Sequence, residues 1–404
     1  MAFDHHSPLP PLRSNLEIRM DVHEGTEVII LHDEEGIAES NIMLEAQLLL
    51  ILEKLDGSRS LSSLHAELVT GADGDGMVLE LGQLASFVSA LDEACLLESD
   101  RYFETRLFLE SDVCASVCDG ICYPKEPQEL HAFLDEILQS SPRRSYPSDA
   151  RAILAPHIDF RVDRQVYAAP FNAIRDSEFD LVVHIGTSHY GWQDQFLLTR
   201  KDFMTPLGTV RTDRALVDRL YDTCEVPLTR NDVAYEPEHA LEFHHVFLQH
   251  LFPDRRFTVL PVLVTSFGDH VQEQKDPMKD RRVRSFIDAL QSVVRESGRR
   301  TLWVVSGDLA HVGRRFGDAW DAESMLDTLR AEDQETMDSI IKGSPRDVFD
   351  GIARNGDRRR VCGLPPVWTM LQALGPTSGT ALGYGQWNDS PTGTAVTYGA
   401  AAWW

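Results

Sequence analysis

Leu181-Val182-Val183-His184-Ile185-Gly186-Thr187-Ser188-His189 is an apolar run that closes in small residues and an imidazole. Such a run, bounded by a glycine, reads as a buried strand, Leu181–Ile185, with His184 in the core. Open α/β sheets place ligands beyond the carboxyl ends of their strands, where His189 stands. The pattern recurs upstream, where Ala152–Ala155 runs into Pro156-His157, and downstream, where Thr301–Val305 runs into Ser306-Gly307-Asp308-Leu309-Ala310-His311. Further strands are expected at Gln195–Leu198, Phe257–Val264, Thr380–Tyr384 and Thr394–Ala401. Helical stretches fall around 164–175, 213–222, 240–251, 280–296 and 321–342, and Val367–Leu374 reads as another. Buried runs alternating with amphipathic helices predict a layered α/β/α domain.

Outward from that core, 110–150 reads as a junction with a helix at Gln128–Leu138 and a Ser/Pro/Arg linker at 142–147. Residues 1–14 read as a flexible lead-in. Two strands, Leu16–Met20 and Glu27–Leu31, are expected around a turn at Glu24-Gly25. Asn41 reads as the cap of a helix to about Leu55, and Leu61–Val69 as a second helix. After a polar loop at Gly71–Gly76 comes a third helix, Leu79–Ala94, and then an extended stretch, Arg101–Leu109. This order predicts a small α+β winged-helix domain over 15–109.

The chain has 404 residues and a formal net charge of -26. That charge argues against nucleic acid and anionic membranes as partners. No apolar stretch reaches membrane-spanning length, and Met1–His6 opens no secretory signal, so the expected location is cytoplasmic. Six cysteines in that setting suggest thiols or metal ligands rather than a disulfide framework.

His157 and His189, each delivered by a strand, can share a metal, and Cys362 in Val361-Cys362-Gly363 is the candidate third ligand. Two histidines and one anionic ligand leave positions open for substrate or oxygen. A thiolate would suit iron, copper or zinc. Glu238-His239-Ala240-Leu241-Glu242-Phe243-His244 stands at the start of an apolar helix, where His239 and Glu242 would share a face. His239, Glu242, His244, Asp308 and His311 are the candidate acid/base or substrate-binding groups. Cys114, Cys118 and Cys122 recur every four residues, a spacing foreign to the usual iron–sulfur motifs.

The five motifs, in this order and spacing, resemble those of the Memo family, also called AmmeMemoRadiSam system protein B. Gly120 with Tyr123-Pro124 is similar to that family's opening signature, so the resemblance runs from about 118 to the end. It implies a fold like that of class III extradiol dioxygenases over 110–404, with His157, His189 and Cys362 as metal ligands and Fe(II) as the metal, copper or zinc being alternatives. It implies redox chemistry on a small-molecule or peptide substrate. The alternatives are a non-catalytic binding protein with a vestigial metal pocket and a zinc-dependent hydrolase. Ile158-Asp159-Phe160 and His245 depart from the family pattern. The N-terminal domain, with Leu55-Asp56-Gly57 before Ser60-Leu61, resembles PqqD-like modules, which implies that it takes a peptide or a partner protein.

Overall fold

The computed structural model describes residues 3–404 apart from 24, 34, 39–40, 72–77, 143, 145, 147–148 and 192–193. Most of the Gly71–Gly76 loop, part of the 142–147 linker and half of the Glu24-Gly25 turn lie outside the described residues. The chain divides into two compact units, Met1–Ser111 and Asp112–Trp404.

In the first unit, β1 (Leu16–His23), β2 (Thr26–Asp33) and β3 (Asn41–Glu45) form an antiparallel sheet in the order β1-β2-β3. The helices α1 (Leu49–Lys54), α2 (Leu61–Thr70), α3 (Leu81–Glu93) and α4 (Asp100–Glu110) follow. Ile29 and Leu31 of the sheet pack with Ile51, Leu64, Leu84 and Val88 of the helices.

Three expectations are corrected here. Asn41 begins a strand rather than capping a helix, because 41–45 pairs with β2 and the helix starts only at Leu49. Arg101–Leu109 is helical. Ser99 accepts from the Tyr102 N–H to cap α4, and Tyr102, Thr105 and Phe108 turn inward at three-residue spacing, so no extended wing forms there. Of the lead-in, residues 8–13 are tied down. Pro8 and Leu12 bridge to Ser60 and Leu97, Leu9 is buried, and buried Arg13 meets Asp33 at 2.8 Å.

The second unit begins with β4 (Val113–Cys114), α5 (Pro127–Gln139), β5 (Ala152–Ala155), α6 (Arg164–Ile174), β6 (Leu181–Thr187), β7 (Phe196–Leu198), β8 (Asp202–Thr205) and β9 (Gly208–Val210). It continues with α7 (Arg214–Thr223), α8 (Glu242–Leu251), β10 (Thr258–Val264), α9 (Gly268–Gln272), α10 (Arg281–Ser297), β11 (Thr301–Ser306) and β12 (His311–Gly313). The last elements are α11 (Leu326–Ile341), α12 (Pro345–Ala353), α13 (Leu364–Leu374), β13 (Gly379–Asp389) and β14 (Thr394–Trp403).

The main sheet runs β12-β14-β5-β11-β6-β10-β7, with β13 on β14. Strands β5, β11, β6 and β10 are mutually parallel, while β14 and β7 flank them antiparallel. Successive side chains of a strand point to opposite faces. Leu181, Val183 and Ile185 join Leu260, Val262 and the residues of α7, α10 and α13 in one core. His184 points to the other face, against His244 and His245 of α8. The result is the expected α/β/α layering. Each fully buried aliphatic or aromatic side chain of this core contributes about 1.5–3 kcal/mol. The short strands β4, β8, β9 and β12 and the helices α9 and α12 were not expected from sequence.

Candidate metal centre

Three parallel strands end together and deliver the site. β5 leads into His157, β6 into His189, and β11 into Asp308. The loop before α13 brings Cys362 across to them. Gly307 and Gly363 make this approach possible, since a Cβ on Gly307 would lie 2.5 Å from the Gly363 Cα, and one on Gly363 would lie 2.5 Å from the Asp308 carbonyl oxygen. Thr187 Oγ1 donates to the Cys362 carbonyl at 2.7 Å and pins the loop to the exit of β6.

His157, His189 and Cys362 each offer a donor atom within 4.8 Å of the others. His157 Nε2 lies 3.4 Å from Cys362 Sγ, and the His157 and His189 rings meet edge-on at 5.1 Å. The tautomers follow from the partners. Ser306 Oγ donates its single proton to the Ala240 carbonyl, so at 3.1 Å it accepts from His157 Nδ1–H. That leaves the lone pair of His157 on Nε2, toward the thiol. The Glu238 carboxylate accepts from the His189 N–H at 2.7 Å and from Nδ1–H at 3.0 Å, which leaves the lone pair of His189 on Nε2 as well.

Burial and the neighbouring imidazoles hold His157 well below the usual histidine range. Burial also acts to lower His189, but the bond to Glu238 and its charge outweigh it and raise the ring. The Cys362 thiol is pushed well above its ordinary value by burial and by Asp308. A half-buried thiol facing an imidazole lone pair is a donor set in which a divalent cation would take the place of the shared proton, so the residues fit a metal.

His239 and Asp308 join the same cluster. The His239 ring stacks on His189 at 5.3 Å and meets His157 at 5.5 Å. Glu238 and His239 form a second close donor group with His189. Asp308 Oδ1 accepts from the His157 N–H at 3.1 Å, its Oδ2 lies 3.7 Å from His157 Nε2, and burial lifts this carboxyl to about 7. His311 Nδ1 faces the carbonyls of Leu309 and Arg360, both at 3.2 Å, and burial lowers the ring to about 4.

Glu242 and His244 are not brought to this cluster. The helix starts at Glu242, so His239 stands in the preceding loop and the two share no helical face. Glu242 instead receives Ser116 Oγ, the Val117 and Cys118 N–H groups and the Tyr123 hydroxyl. It anchors the segment that carries Cys118. Cys114 and Cys118 are buried and Cys122 is half-buried, and burial raises all three thiols. His244 lies behind the sheet, with Nε2 on the Pro156 carbonyl at 2.8 Å and Nδ1 on His184 Nε2 at 3.1 Å. His184 Nδ1 in turn meets His245 Nε2 at 3.0 Å, so the three imidazoles form one buried chain.

A cavity of about 330 Å³ opens beside His189 and Cys362, lined among others by Thr187, Phe267, Asp357, Arg360 and Leu364. Sequence reasoning missed Phe267, Asp357 and Arg360. No local pattern marks them, although Asp357 and Arg360 both adopt left-handed backbone, at φ 49° and 51°.

The family model described as Memo-like protein matches residues 115–402. The chain belongs to the Memo-like family. A MEMO1 family protein of Aquifex aeolicus is 28% identical over 386 residues, covering 94% of this chain and 96% of its own. Coverage that extensive takes in most of Met1–Ser111, so the N-terminal unit has a counterpart in that relative. A MEMO1 family protein of Thermus thermophilus is 27% identical over 329 residues, 80% of this chain and 93% of its own. The protein memo-1 homolog of Caenorhabditis elegans is 26% identical over 260 residues, 63% of this chain and 69% of its own. Among the described residues no helix is long and apolar enough to cross a membrane.

Proposed function

We propose that His157, His189 and Cys362 hold Fe(II) and that this Memo-like protein is a metal-dependent redox enzyme acting on a small-molecule or peptide substrate. The observation that carries the reading is the pair of fixed tautomers. Ser306 and Glu238 each occupy an Nδ1–H, and both rings keep Nε2 free beside a half-buried thiol. Hydrogen bonds of this kind orient metal-binding imidazoles in general. Iron bound there would supply one-electron and oxygen chemistry.

The protein's own groups provide the rest. The cavity beside Cys362 admits a small substrate or one side chain of a peptide, with Phe267 and Leu364 as apolar wall and Arg360 and Asp357 as polar groups. Asp308 Oδ2 is placed to take or return a proton at the cluster, and His239 covers its partly exposed side. The N-terminal unit, read as PqqD-like, would bind the peptide or a partner protein along β1, an edge strand of its sheet.

The test is the metal content of anaerobically purified protein beside His157→Ala and Cys362→Ala. Near-stoichiometric iron, lost in both variants, is the expected result, followed by substrate-dependent oxygen uptake. Zinc lost in both would replace the redox reading with hydrolysis or structure. Protein that takes up no metal after iron reconstitution would leave a ligand-binding scaffold.

A further inference from the structure

A second cavity lies away from the metal-ligand candidates, at the end of the sheet where β10 begins. It encloses about 600 Å³. Its lining holds Arg211, Arg255, Arg256 and Arg299 and contains no carboxylate. In a chain with 64 acidic and 38 basic residues, such a wall is a marked local reversal of charge.

The four guanidinium groups are not equivalent. Arg299 is committed to the fold, bound to Asp180, Asp213 and Thr258. Arg211 uses Nη1 on Asp202 at 2.7 Å, and 70% of its side chain is exposed. Arg255 has no carboxylate partner among the described residues. Its Nη1 donates to the Ser177 carbonyl, and its guanidinium carbon lies 4.6 Å and 4.9 Å from the Phe252 and Phe179 ring centres. Those contacts fix its plane and leave other N–H groups unused. Arg256 is exposed, and its guanidinium makes no hydrogen bond or ion pair among the described residues.

Neutral groups complete the wall. Gln249 Oε1 accepts from Thr205 at 2.6 Å, which leaves the amide N–H groups of Gln249 to donate. His250 gives Nε2–H to Asp135 at 3.0 Å, so its Nδ1 accepts from His131 Nδ1–H at 2.7 Å. The lone pair of His131 Nε2 is thereby left as an acceptor. Leu207, Val210, Phe252 and Phe257 add apolar surface.

We infer that this cavity binds a small organic phosphate carrying a flat ring, of which a nucleoside monophosphate is the type. The phosphate sits on Arg255 and Arg256, where charge-assisted bonds are available without displacing a protein carboxylate. The ring rests on the apolar wall, with one donor group turned to His131. Binding here is independent of the proposed metal chemistry.

The test is calorimetric titration of the full chain with adenosine monophosphate, beside adenosine and inorganic phosphate. Saturable binding is expected for the nucleotide, at least tenfold tighter than for either fragment, and weaker as salt is added. Arg256→Ala removes a guanidinium with no protein partner, so the fold is kept and nucleotide affinity falls about tenfold or more. Arg256→Glu reverses the charge and abolishes binding. The proposal is overturned by no saturable signal up to about 10 mM nucleotide. It is equally overturned by unchanged binding in both variants, or by inorganic phosphate binding as well as the nucleotide.

Discussion

Replacing His245 with leucine should make the protein markedly less sensitive to acid. His184, His244 and His245 form a chain of buried imidazoles whose direction is set at one end, where His244 Nε2–H donates to the Pro156 carbonyl. His244 Nδ1 therefore accepts from His184, and His184 Nδ1 accepts from His245. The chain ends on His245 Nδ1, which is buried with no partner among the described residues. Burial drives His244 down to about 4 and His245 to about 3, and burial with two neighbouring imidazoles holds His184 well below the histidine range. These depressed native values mean that each ring supports the fold above the unfolded pKa near 6.5 and loses that support as pH falls toward the native value. Between about pH 7.5 and about pH 5 the loss is about 2 kcal/mol per ring, or about 6 kcal/mol for three, against a total stability of about 5–15 kcal/mol. In His245→Leu the orphan acceptor moves from residue 245 to His184, so near neutral pH the cost is about 1 kcal/mol, the worth of one neutral hydrogen bond. Near pH 5 the variant should match or exceed the wild type, because one titrating ring is gone. Urea unfolding of both proteins at the two pH values reads the difference directly, since all other titrating groups are shared. If both lose the same stability on acidification, the buried chain of neutral imidazoles is wrong.

Other expectations follow from single contacts. Ser306→Ala removes the acceptor that holds His157 in its Nε2-free tautomer and should weaken iron or zinc binding by about 10- to 100-fold in a competitive chelator titration. Glu242→Gln should cost about 3 kcal/mol or more in denaturant unfolding, because a buried carboxylate with four donors loses its charge, while bound metal per chain stays as in the wild type. Gly363→Ala puts a methyl group 2.5 Å from the Asp308 carbonyl oxygen, and should lower both the melting temperature and metal occupancy by displacing Cys362. Tyr102→Leu removes the ring under Arg13, 4.4 Å away, and should destabilise the N-terminal unit by about 1 kcal/mol in hydrogen exchange, with protection of the second unit unchanged.

The readable parts of the chain were those whose signal is local. His157, His189 and Asp308 each follow a buried strand directly, so a strand reading places them at one sheet end without any knowledge of topology. Cys362 has no such signal, and only the order of motifs joins it to the others. The misread parts are places where a distant partner overrides a local pattern. Residues 41–45 look like a helix start, but β2 offers them a ladder. Arg101–Leu109 reads as extended, yet the Ser99 cap and the inward face of Tyr102, Thr105 and Phe108 make it a helix.

The same distinction separates ligands from supports within 238–245. Read as one helix, His239 and Glu242 share a face. With the helix beginning at Glu242, the loop before it turns Glu238 and His239 to His189, while Glu242 turns to the Ser116–Cys118 segment. A shift of a few residues in a helix boundary thus decides which carboxylate supports the metal candidates and which anchors a loop. The direction of each imidazole is less local still. His157 and His189 become suitable ligands through a serine on β11 and a glutamate before α8, residues 149 and 49 positions away. Spacing can nominate donor residues, but whether their lone pairs face one another depends on acceptors that only the folded chain brings within reach.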